Sequence, residues 1–122
     1  MYENYLLNAA AIASVMSNIN GFRDSQITAE EISGLVEKNR WEEKYFIDKI
    51  RGEDRSEEFW IKRVHGAKML EDLFKTLSEK RVNFNKVEHD LPLTKWIIDN
   101  APEEFTEVGE LIKKVLSRNV ML

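Results

Sequence analysis

His65 and His89 are the only imidazoles in this 122-residue chain, and it contains no cysteine. Disulfide frameworks, thiolate metal sites and thiol nucleophiles are therefore excluded. Glu88-His89-Asp90 sets three potential metal ligands in a row. Consecutive residues diverge, however, whereas ligands at i and i+4 on a helix converge on one ion. A di-metal carboxylate site in a helical bundle needs Glu-x-x-His on two helices. Lys62 stands three residues before His65 and Lys86 three before His89, so that site is ruled out. Gly21, Gly34, Gly52, Gly66 and Gly109 are isolated and form no phosphate loop. Carboxylates are plentiful, but no spacing marks two of them as an acid/base pair. The residues point to a protein that is not an enzyme and needs no metal or cofactor.

Recognition chemistry has more to draw on. Residues 27–50 have the outline of a helix-turn-helix, and Arg40, Trp41, Lys44, Tyr45 and Lys49 would mix bases with aromatics on the second helix. Glu42, Glu43 and Asp48 nearly cancel those bases, and phosphate would lie close by. Glu43 also falls where such a motif buries an aliphatic side chain. Protein recognition meets fewer objections, since aromatics with arginine are favoured interface anchors. Alternatively, Trp41 and Tyr45 are covered by residues 82–91 or by the C-terminal helix. Arg63 is either a buried guanidinium awaiting an anion or an arginine whose stem lies on apolar surface while its head reaches water.

The net charge is −4 and the pI about 5.3, which disfavours a general nucleic-acid binder. Residues 62–86 carry seven bases against three acids, and residues 99–110 carry five acids and no base. Within the acidic run, Glu103, Glu104 and Glu107 could mimic phosphates toward a nucleic-acid enzyme, or the two patches could face each other.

The elements that must position these groups read as helices. Residues 4–22 pass without a charge although 33% of the chain is charged. Tyr5, Ala9, Ile12, Met16 and Ile19 recur at helical steps, and a helix with no charged face is buried on several sides or pairs with its own copy. Ala9, Ala13 and Met16 would carry such self-association. The segment lacks the leading positive charge of a secretory signal, and Asn8, Ser14, Ser17 and Asn18 interrupt it as a membrane span. Asn20-Gly21 should end it.

Thr28-Ala-Glu-Glu31 reads as a capping box, with Glu31 reaching back to Thr28 and Ile27 and Ile32 as a hydrophobic staple. A break at Lys38-Asn39 would let Asn39 cap a further helix. Gly52 closes that element, and Asp54 or Ser56 caps the next. One long helix is expected over 56–81, its apolar arc wider than half the circumference. Residues 82–91 read as a loop, Pro92 opens a short helix through 98, and a last helix runs about 106–117 with Val108, Leu111, Ile112 and Val115 as its stripe.

The sequence thus predicts one all-α domain over 1–122, a bundle of five or six helices with the first helix and the 56–81 helix at its centre. The expected function is a non-catalytic cytoplasmic adaptor, regulator or inhibitor that binds another protein and self-associates, with no membrane partner. A helix-turn-helix regulator of transcription and an acidic inhibitor of a nucleic-acid enzyme are the alternatives.

Overall fold

The computed structural model describes residues 2–46 and 56–102. Lys49, Gly52, Asp54, Glu103, Glu104, Glu107 and the helix expected over 106–117 lie outside the described residues. The architecture is all-helical: a 3-10 turn (Tyr2–Leu6), α1 (Ala9–Ser17), α2 (Ala29–Asn39), a 3-10 turn (Glu43–Tyr45), α3 (Glu57–Arg63), α4 (Gly66–Leu77) and α5 (Lys86–Asn100). The described residues hold no strand, only a single antiparallel bridge between Phe46 and Val64. No helix among them is long and apolar enough to cross a membrane.

The uncharged opening segment is central, as its composition requires. Ala11, Ile12, Ala13, Val15 and Met16 are buried: α1 packs against α2 and α5 and shares one core cluster with residues of α4. It is shorter than expected. Asn8 takes an extended conformation and accepts from Ala11 N–H, which starts the helix at residue 9 and leaves residues 2–6 as a separate turn. Gly21 closes the region at φ +74°, a conformation a side chain would resist.

Thr28 caps α2 by accepting from Glu31 N–H, and Ile27 and Ile32 are both buried. The Glu31 carboxylate does not return to Thr28. Arg23 holds it through two nitrogens at 2.9 and 2.6 Å, a bidentate geometry that suits guanidinium. The helix ends at Asn39, whose amide donates back to the Leu35 carbonyl and does not cap a following helix.

The long helix expected over 56–81 is two helices. Ser56 caps α3 as anticipated, accepting from Phe59 N–H. At Val64 the backbone turns extended, and its neighbours bond elsewhere: His65 N–H donates to the Tyr45 carbonyl at 2.6 Å, and Gly66 N–H to Asn4 Oδ1 at 2.7 Å. His65 then caps α4, its Nδ1 accepting from Lys68 N–H. Gly66 is required, because a Cβ there would lie 2.5 Å from both the backbone nitrogen and Oδ1 of Asn4. Two long-range partners outcompete helix continuation.

Helix α5 begins before Pro92. Asn85 accepts from the N–H groups of Val87 and Glu88, so the helix starts at Lys86 and carries Pro92 in its interior. Leu93 and Ile97 are fully buried, while Trp96 is half-buried.

Candidate interaction surface and neighbouring polar clusters

The structure divides the residues picked out for recognition between core and surface. Arg40 follows the end of α2 with its side chain only 13% exposed. Its guanidinium lies 4.4 Å from the Trp60 ring centroid and pairs with Glu37 at 2.5 Å and with Glu57. Its carbonyl accepts from Trp60 Nε1 at 2.7 Å. Arg40 therefore clamps α2 to α3 and is not an outward contact. Tyr45 is 3% exposed and donates to Asp72 Oδ2 at 2.7 Å. Burial, and then the Asp72 hydrogen bond, push its phenol up to about 12. Lys44 sits 3.3 Å from Asp72 and 5.1 Å from the Tyr45 ring, so its ammonium is held above the usual lysine range, chiefly by the Asp72 hydrogen bond. The phenol keeps its proton and the ammonium its charge at neutral pH, so neither is an activated base or nucleophile. A cavity of about 190 Å³ opens beside them, walled by Leu35, Val36, Met69 and Leu73.

Trp41 is half-buried, and the C-terminal helix expected to cover it lies outside the described residues. It stacks on Phe46 with centroids 5.8 Å apart and planes at 3°, and on Phe59 at 6.3 Å and 25°. All three rings are half-buried. Arg63 is exposed, its guanidinium 5.5 Å from the Phe59 centroid, so its stem lies on apolar surface and its head reaches water. Glu42 and Glu43, next to Trp41 in sequence, and Glu57 and Glu58, next to Phe59, are exposed, as is Lys62.

Residues 40–46 form a turn, a short 3-10 segment and an extended residue, so the reading helix expected to carry Arg40, Trp41, Lys44 and Tyr45 is not formed there. On α1, Met16 is fully buried and Ala13 9% exposed, both facing the core of the same chain, while Ala9 is half-buried.

One cluster escaped the sequence reading. Glu3, from the first turn, and Asp90, from α5, hydrogen-bond each other in a buried setting, with Lys86 Nζ 3.5 Å from Glu3 Oε1. Beside them Tyr2 hydrogen-bonds Thr94, which donates to the Asp90 carbonyl. Burial, then the Glu3 hydrogen bond and charge, push the Asp90 carboxyl up to about 8. Burial works the same way on Glu3, but the Asp90 hydrogen bond and the Lys86 ammonium outweigh it and hold Glu3 below its ordinary range. The pair keeps one proton at neutral pH. No sequence spacing joins positions 3 and 90; the lone acid at the edge of an apolar segment was the available signal.

His89 is 6% exposed and packs against Phe74 and Phe84 at centroid distances of 4.8 and 5.7 Å. No cluster of three or more metal-ligating side chains occurs among the described residues. Compared with models of known protein families, with curated proteins and with solved structures, the chain matches none.

Proposed function

We propose that the chain is a non-catalytic interaction protein and that the stacked Trp41, Phe46 and Phe59 rings, edged by Arg63, form the face that meets a protein partner. The observation carrying this reading is a stack of three aromatic rings left half-buried beside an exposed arginine. Large rigid rings and arginine contribute most of the binding free energy at protein interfaces, because they bury much area at small entropic cost. Glu57, Glu42 and Glu58, exposed glutamates that adjoin Trp41 and Phe59 in sequence, pair with Arg40, Lys44 and Lys62. They leave those bases less free to hold phosphates, which favours a protein over a nucleic acid.

The test is affinity capture from nuclease-treated lysate of the source cell, followed by titration of the captured protein. Trp41→Ala and Arg63→Ala should each weaken that complex by about tenfold or more, with helicity unchanged by circular dichroism. Unaltered affinity in both folded variants would reject the surface, and loss of capture on nuclease treatment would reject the partner class.

A further inference from the structure

Helices α1 and α5 leave a cleft of about 480 Å³ between them, walled by Ser14, Val15, Asn18 and Ile19 on one side and by Glu88, His89, Pro92 and Trp96 on the other. Its size lies in the range of small-molecule sites, which combine apolar walls with a few placed polar groups. Trp96 and Pro92 supply flat apolar surface, and Val15 and Ile19 face them across the cleft.

His89 supplies the placed polar group. Its Nδ1 accepts from Asn85 N–H at 2.9 Å, which fixes the ring proton on Nε2. Burial, only partly opposed by the Glu88 charge, lowers its pKa and keeps the ring neutral. Glu88 Oε2 lies 4.0 Å from Nε2, beyond hydrogen-bond reach, and both residues line the cleft. The Nε2–H group is thus a donor on the cleft wall with no hydrogen bond among the described residues, on a side chain more than nine-tenths buried. An acceptor entering the cleft would take the place of water on this donor. Glu88 at the rim works against an anion.

We propose that the α1–α5 cleft binds a small uncharged aromatic molecule, its ring against Trp96 and Pro92 and a carbonyl oxygen accepting from His89 Nε2–H. This site is separate from the Trp41 surface and does not depend on it.

Acetophenone and its hydrocarbon isostere isopropenylbenzene are the probes, titrated into the full chain and followed by nuclear magnetic resonance at the Trp96 indole and the His89 ring. Acetophenone should give saturable millimolar shifts at both residues, and the hydrocarbon should shift Trp96 alone. His89→Phe should weaken acetophenone about tenfold, the scale of one lost hydrogen bond, without weakening the hydrocarbon. The wild-type Nε2 resonance reports the same bond should that variant not fold. Benzoate should bind at least about tenfold more weakly than acetophenone. Absence of any saturable shift at Trp96, equal Nε2 shifts from both probes, or a Trp96 shift with protein concentration alone (a second copy in the cleft) would each overturn the proposal.

Discussion

At Gly66 a single hydrogen atom separates a folded chain from a clash. Asn4 approaches so closely that its amide oxygen bonds the Gly66 N–H while Nδ2 donates to the Ile61 carbonyl at 2.9 Å. Gly66→Ala should lower stability by roughly 1–3 kcal/mol, as overpacking does, measurable as a reduced urea midpoint. Asn4→Ala should cost a comparable amount by orphaning the buried Gly66 N–H. Asp90 gives a different residue-scale signature. Between the ordinary carboxylate range and about pH 8, the folded chain holds a proton there that the unfolded chain has released, so stability falls as pH rises through that window. Glu3 acts oppositely: its contribution is present above the ordinary glutamate range and is lost as pH falls through its depressed folded value. Urea midpoints should therefore drop between about pH 6 and about pH 9, and Asp90→Asn should flatten that drop.

Among the elements, caps decide where helices start, and this level was the most legible in sequence. Thr28 and Ser56 do what their types promise. Asn85-Lys-Val-Glu88 has the spacing of a capping box and could have revealed the start of α5. It was obscured because the first turn of α5 buries a histidine and leaves Val87 91% exposed, so no apolar stripe announces it. Asn85→Ala should destabilise by about 1–2 kcal/mol, with Asn85→Asp close to neutral, both read from thermal unfolding. The break at Val64-His65 was hidden for another reason. The apolar pattern runs on through both helices, and what splits them is Tyr45 and Asn4, distant in sequence. Short-range pattern cannot show a hydrogen bond that competes from 62 residues away.

Among the described residues the uncharged segment lies at the centre and most charged side chains are exposed, with Glu3 the buried exception. The candidate site was only partly legible. Trp41 and Arg63 reach the surface, but Arg40 and Tyr45, chosen by residue type, are consumed in joining α2, α3 and α4. Residue type marks a side chain able to anchor a partner; it does not say whether the partner is another chain or the same one. Ala13 illustrates the point at this scale. Because it packs into its own core, Ala13→Arg should abolish cooperative unfolding, a loss visible by calorimetry, and should not release an intact folded monomer.

The turn at residues 2–6 holds Asn4 against Ile61 and Gly66, Glu3 against Asp90, and Tyr2 against Thr94. A ribosome delivers those residues well before their anchors, which lie 57 to 92 positions further along the chain. The opening segment must wait, unseated, until most of the chain has emerged.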